Sequence, residues 1–385
     1  MRRPRSAAVA TTLALVSAVG AVAVAPLAGA QHDSDDHDGG HCASQPRDAY
    51  AGVAGSTGND AALDAALDAA ATARWRDASE NRFVRIRGGE FTMGTDAPVN
   101  EEDGESPARP ARVDDFELQE SEVTVAQFAR FVDATRRERG ARFRTDAERF
   151  GWSFVFEQTL SRAASARVTS AVAHVPWWVP VEGADWLHPD GPDSSVLERL
   201  DHPVVHVSHN DARAYCAHLG ARLARETEFE YAMRGGLARA NFSWGDELVP
   251  GGRHRANLWQ GEFPALNTME DGFRYAAPVR ALGPQNDWGL YHVTGNVWEW
   301  VADAWVTDHR RYWRGPGHVL ENVQVELAGR LEDRAVERVK RGGSYMCHAS
   351  YCQRYHTASR SHNTADSSAQ NLGLRCARDV GEEGA

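Results

Sequence analysis

Hydrophobic and polar positions change their rhythm several times along the chain. Ala7 to Leu27 is a charge-free, largely apolar run behind Arg2, Arg3 and Arg5, and Ala28-Gly29-Ala30 closes it. A basic start, an apolar middle and a small-residue end read as a secretory signal over residues 1–30, with Gln31 as the first mature residue. The alanine-rich, weakly hydrophobic content and the A-x-A ending favour cleavage over an uncleaved anchor. From Gln31 to about Gly58 the residues are mostly Asp, His, Gly and Ser, with almost nothing to bury. Residues 31–81 are therefore expected to be a flexible leader, with an alanine-rich helical lead-in at 60–79. The packed domain is expected over 82–380. Phe83-Val84-Arg85-Ile86 alternates as a strand does and meets a turn at Gly88-Gly89, ahead of Phe91-Thr92-Met93-Gly94.

A helical period then takes over. Thr124 with Gln127 forms a capping box, and Phe128, Phe131 and Val132 line one face of the helix it starts. Ser208 with Asp211 caps a second helix, whose buried stripe is Ala212, Tyr215, Cys216 and Leu219 and whose stop is Gly220. A third is predicted from Thr227, with Glu230 at its third position, to Gly235-Gly236. After Asn241 the apolar patches are short and broken by Gly, Pro and Asn, without helical period or repeat. The pattern predicts one irregular, loop-rich α+β domain. Its 34 glycines and 12 tryptophans suit loops pinned by large aromatics. A chain with so few ladders must satisfy its backbone groups through side chains, water or ions, so a structural metal is expected.

Composition narrows the partners. The 385 residues carry 42 basic and 54 acidic side chains, a net charge of −12, with a mean hydropathy of −0.51. That balance excludes nucleic acid and argues against a stable membrane partner. Export would place the chain in an oxidising compartment, which changes how its five cysteines are read. Cys42 falls in the leader. Cys216, on the buried stripe of the second helix, and Cys376, in the apolar stretch Leu374-Arg375-Cys376-Ala377, form the natural structural disulfide. Cys347 and Cys352 remain, and their spacing admits two readings. One is a second, local disulfide. The other is a soft two-thiolate site, which favours Cu(I) over a zinc ion that wants four ligands.

The context of that pair carries a resemblance. Arg338 to Tyr355 (RVKRGGSYMCHASYCQRY) and Ser359 to Cys376 (SRSHNTADSSAQNLGLRC) closely resemble the active-site segments of formylglycine-generating enzymes, the sulfatase-modifying oxidases. Upstream, Gly88 to Gly94, Pro176-Trp177-Trp178, Gly191 to Ser194, Asp201 to Val204, Asn257 to Pro264 and Gly295 to Trp300 continue it, so that it spans nearly all of 82–380. The glycine and Trp-Glu-Trp motifs are shared with non-catalytic members of the wider superfamily; the two-cysteine segment marks the oxidase.

The resemblance implies a single α+β domain with a C-type-lectin-like core. It implies Cu(I) on Cys347 and Cys352, O2 and an external reductant as co-reactants, and as substrate a cysteine in a Cys-x-Pro-x-Arg segment of an unfolded sulfatase. By position, Ser344 and Trp298 would line the substrate-thiol and oxygen pocket, and Tyr345, Arg360 and Asn371 would face the peptide. Calcium would take the side chains of Asn257 and Asp271 with the carbonyls of Leu258 and Phe273, all-oxygen ligation of the kind a hard cation requires. A second calcium set would fall on His292, Gly295, Val297 and Glu299; the family usually has Asn where His292 stands, and imidazole is a poor ligand for calcium. Further departures are His356 in place of an arginine, His209 in place of a tryptophan, and Met233 and Thr357 where some relatives carry a second disulfide. His202, His206 and His209 read as structural. The rival reading is a non-catalytic exported binding module of the same fold, against which the retention of both Cys347 and Cys352 argues.

Overall fold

The structure, a computed structural model, describes residues 24–26, 59–73, 76–325 and 336–380. Most of the expected signal segment, and the leader with Cys42 and its histidines, lie outside the described residues. Described helices number six. α1 (Asn59–Ala70), α2 (Val125–Arg139), α3 (Asp146–Phe150), α4 (Arg162–Ser165), α5 (His209–His218) and α6 (Glu226–Arg234) all precede residue 241. No described helix is long and apolar enough to cross a membrane.

α1 is the helical lead-in expected at 60–79, and it packs into the core. Leu63, Ala66 and Ala70 repeat at helical spacing and are fully buried in the same core as Phe128 and Val132 of α2. Asp60 and Asp64 reach Arg142 and Arg136 on the other side of that contact. Alanine contributes little hydrophobic signal in a sequence, yet its small side chain is what lets two helices approach closely.

The predicted caps of α2 and α5 form as expected. Thr124 Oγ1 accepts from the N–H of Gln127 while Gln127 Oε1 accepts from the N–H of Thr124, and Ser208 with Asp211 repeats the exchange. α6 starts earlier than predicted. Glu228, not Glu230, reaches back to the N–H of Arg225, and Asp303 accepts from the N–H of Glu226. Glu230 is drawn inward instead by Arg234 and Arg341.

Two four-stranded sheets position the rest. In one, Ser361–Thr364, Glu337–Arg341, Trp298–Ala304 and Leu372–Leu374 lie side by side, antiparallel except for the last pair. In the other the order is Phe83–Ile86, Phe116–Gln119, Cys376–Asp379 and Arg222–Leu223. Cys216 on α5 is joined to Cys376 on the last strand, as expected. The bond closes a separation of 160 residues, which by chain entropy contributes about 5 kcal/mol. Trp298 and Trp300 on the central strand pack into the same core as α1, α2 and α5.

Candidate active site

The central sheet delivers the two remaining cysteines to one point. Strand Glu337–Arg341 ends at Gly342 and Gly343, both at positive φ (94° and 78°). A Cβ on Gly343 would lie 3.0 Å from the carbonyl of Arg354, so a glycine lets the outgoing chain cross the returning one closely. Between these crossings the N–H of Cys347 donates to the carbonyl of Ser344 (2.8 Å), and that of Cys352 donates to His348 (2.9 Å). These two tight turns bring Cys347 Sγ and Cys352 Sγ to 2.7 Å. Both residues are buried, and no disulfide joins them. Of the two readings open in the sequence, the local disulfide is not formed.

Three of the expected site residues gather here. The Ser344 N–H points at Cys347 Sγ (3.3 Å), and its hydroxyl lies 4.0 Å from the same sulfur. Asn371 Nδ2 donates to Ser344 Oγ (2.9 Å), and the Asn371 carbonyl accepts from the N–H of Trp298 (2.8 Å). The Trp298 indole N–H is buried without a partner.

Sequence reasoning singled out no role for two further features. Burial, then the neighbouring Cys347 and Cys352, push the Tyr355 phenol up to about 12, so this ring lies within electrostatic reach of both sulfurs and stays neutral. An aromatic wall stands beside the thiol loop. Tyr351 stacks on Phe263 (4.4 Å between centroids, 3° between planes), and Trp177 meets Tyr351 edge-on at 4.7 Å. Trp177 and Phe263 were visible only as parts of family motifs; their meeting with Tyr351 depends on tertiary structure.

Two residues expected to face the peptide are engaged inside the protein. One is Arg360. It is buried in a two-pronged pair with Glu226 (2.6 and 2.9 Å), donates to the carbonyls of Asp103 and Val306, and covers the Trp305 ring at 4.7 Å. A guanidinium so fully engaged has little left to offer a substrate. Its partner Glu226 is held at about 2; burial works against the carboxylate, and Arg360 and Arg341 outweigh it. Tyr345 is the other. Its ring packs against Tyr275 at 6.1 Å and lines a separate cavity of about 260 Å³ with Asp190 and Arg199.

The donor sets discriminate between the expected metals. Around the thiol pair there are two sulfurs and no third metal-binding side chain; among the described residues no group of three or more His, Cys, Asp or Glu is placed to hold an ion. Two soft donors fit a monovalent copper ion and do not fit zinc or calcium. At the first expected calcium set, Asn257 Oδ1 is buried without a partner. Asp271 lies beside it, accepting from the N–H groups of Leu258 (3.3 Å) and Phe273 (2.9 Å), its carboxyl pushed up by burial. An orphaned buried oxygen next to a desolvated carboxylate fits a hard cation. The second set is different. Both oxygens of Glu299 are already taken by Arg375 (2.6 and 2.7 Å), and burial followed by Arg375 pushes His292 down to about 3. Arg375 supplies there the positive charge that a cation would bring.

Comparison with known proteins shows the family of the chain. Residues 69–380 match the family model described as a sulfatase-modifying factor enzyme 1-like domain. A formylglycine-generating enzyme of Bos taurus is 50% identical over 304 residues, covering 79% of this chain and 76% of the relative. A relative from the same organism, named an inactive C-alpha-formylglycine-generating enzyme 2, is 41% identical over 315 residues, 80% of this chain and 93% of its own. Among solved structures, PvdO from Pseudomonas aeruginosa shares the fold, with a TM-score of 0.51 at 21% identity over 77% of this chain and 94% of that one.

Proposed function

The chain belongs to the family of sulfatase-modifying factor enzyme 1-like domains, and from that membership we propose that it oxidises a cysteine in sulfatase polypeptides to Cα-formylglycine. In this reading Cys347 and Cys352 hold Cu(I), O2 is the oxidant, and an external thiol is the reductant. The observation that carries it is a buried pair of cysteine sulfurs, not joined as a disulfide, with Ser344, Asn371 and an unpartnered Trp298 N–H around it.

In the overall change, one substrate thiol R–CH2–SH, one dioxygen and two external thiols R′–SH become the aldehyde R–CHO, hydrogen sulfide, one water and the disulfide R′–S–S–R′. The substrate carbon gives two electrons, the external thiols give two, and water and hydrogen sulfide carry the protons away. Copper, when bound, supplies the one-electron steps that dioxygen needs. The protein's own groups do the rest. The aromatic wall of Trp177, Phe263 and Tyr351 excludes water beside the thiol loop and offers an apolar surface to an extended Cys-x-Pro-x-Arg segment. Ser344, fixed by Asn371, holds its N–H and hydroxyl toward the sulfur side of the site, where they orient an incoming thiol. The Trp298 N–H is a donor ready for an oxygen or sulfur acceptor, pre-aimed at no reorganisation cost. Calcium at Asn257, Leu258, Asp271 and Phe273 fixes the loop that leads into Trp259 and Phe263. The signal at residues 1–30 exports the chain to meet its clients unfolded.

The test incubates mature protein with Cu(I), a thiol reductant, air and a Cys-x-Pro-x-Arg peptide, and captures aldehyde with an aminooxy probe. Aldehyde is expected from the wild type and not from Cys352→Ser; undiminished aldehyde from Cys352→Ser overturns the assigned site. The inactive relative is the precedent for the second reading, a binder without turnover. That reading expects peptide binding with no aldehyde at any copper loading.

A further inference from the structure

Asn371, which holds Ser344, also lines a small notch of about 30 Å³, with Phe154, Trp178, Ala369, Leu372 and Lys340 among its other walls. That is room for one or two water-sized molecules. Lys340 is the only lysine in the chain and is 5% exposed. Its ammonium meets Asn363 Oδ1 and lies 5.2 Å from the centre of the Trp298 ring. It stands on the central sheet, paired in register with Trp300 and Ser361, two residues before the glycines that launch the thiol loop. Burying an ammonium carries a large desolvation cost, which its contacts with Asn363 and with the indole that borders the site offset.

The notch has an apolar side, Phe154, Trp178, Ala369 and Leu372, and a polar side of Asn363, Ser367, Ser368 and Asn371 with one cation, Lys340. The apolar side admits a neutral diatomic gas, and the cation rewards it electrostatically once it gains electrons. We propose that this notch is the place where dioxygen waits beside the thiol site, and that Lys340 stabilises the negative charge that builds on oxygen as it is reduced. The inference rests on the oxidase reading above and deepens it. The electrons are those already counted, two from the substrate carbon and two from the external thiols, and Lys340 changes neither the stoichiometry nor the products. Its charge keeps reduced oxygen in place until the second pair of electrons arrives.

Lys340→Met keeps the stem and removes the charge. The expected result is a rise of about tenfold in the KM for O2, with the peptide KM and the Cu(I) affinity by chelator competition unchanged, and with part of the oxygen lost as hydrogen peroxide. Lys340→Arg is expected to restore the coupling. A folded Lys340→Met protein with unaltered O2 KM and no peroxide overturns the role of the lysine. Since a buried substitution can impair folding, Ala369→Leu fills the notch from another wall and leaves the charge alone. Crystals of metal-free protein under xenon pressure are expected to show xenon in the wild-type notch and none in Ala369→Leu. No xenon in the wild type overturns the gas site. Wild-type protein that makes no aldehyde at any oxygen pressure sinks the oxidase reading instead, and the xenon result then still decides the notch on its own.

Discussion

At the scale of the residue, Arg360 and Asn371 look alike in sequence, two polar side chains near the active segment, and the structure separates them. Arg360→Ala removes both prongs from Glu226 and leaves a buried carboxylate with only Arg341 at 3.1 Å. Breaking a buried pair from one side costs about 3–5 kcal/mol, and the remaining Arg341 contact places this case at the lower end. Urea denaturation is expected to show that loss, while the peptide KM of whatever protein folds stays where it was. Asn371→Ala is expected to do the reverse. It removes one hydrogen bond, about 1 kcal/mol of stability, and frees the Ser344 hydroxyl from its orientation. The turnover rate should fall about tenfold with a much smaller shift in the urea midpoint. An Asn371→Ala protein that loses stability but keeps its rate would assign the residue to packing alone.

At the scale of the element, the sequence was most readable where the chemistry is local. Thr124 with Gln127 and Ser208 with Asp211 announce their helices because both halves of each cap lie three residues apart. What stayed hidden depends on partners far away in sequence: Glu230 is claimed by Arg341, 111 residues on, and Arg360 by Glu226, 134 residues back. No spacing rule reaches that distance, so the start of α6 was misplaced and the pairing of Arg360 stayed unseen. Elements also carry the pH dependence. Asp211 caps α5 and has Asp146 beside it; burial, then that second carboxylate, push Asp211 up to about 8. An unfolded Asp titrates near 3.9, so the folded state holds this proton more tightly, and the stability it lends is lost as pH rises toward about 8. Buried histidines such as His309, pushed down to about 4 by burial and then Arg109, work in the opposite direction below pH 6.5. The informative quantity is therefore the difference between wild type and Asp211→Asn. Thermal melts from pH 5 to 8.5 should show the variant gaining on the wild type as pH rises; parallel curves would mean that Asp211 titrates normally. The Asn257–Asp271 loop, proposed above to hold calcium, is tested by the same kind of experiment. Calcium at a hundredfold excess over its Kd is expected to add about 2.7 kcal/mol, and Asp271→Asn to abolish most of that gain. A melting temperature indifferent to calcium and to chelator would remove the cation from the Asn257–Asp271 loop.

At the scale of the whole molecule, the proposed function sets two opposite redox demands. It needs Cys347 and Cys352 kept out of a disulfide, whereas Cys216–Cys376 ties α5 to the last strand and is worth about 5 kcal/mol as a closed loop. The compartment and the reductant are common to both pairs, so the fold must distinguish them. Thiol exchange needs an attacking thiolate to reach a disulfide sulfur, and access controls the rate. Cys216 and Cys376 are both wholly buried, one under a helix and the other inside a four-stranded sheet, so attack requires that whole layer to open. The thiol pair is just as well covered, but by a loop of two tight turns between glycine and Tyr355, whose opening disturbs no sheet. Local opening costs far less than unfolding a core strand. Native protein held in a mild thiol reductant, quenched in acid, denatured and alkylated should therefore carry label on Cys347 and Cys352 and none on Cys216 or Cys376. The same treatment in urea above the unfolding midpoint should label all four. Equal labelling of both pairs under native conditions would mean that the sheet gives the structural bond no kinetic protection, and that the molecule cannot be reduced for catalysis without losing the bond that anchors its last strand.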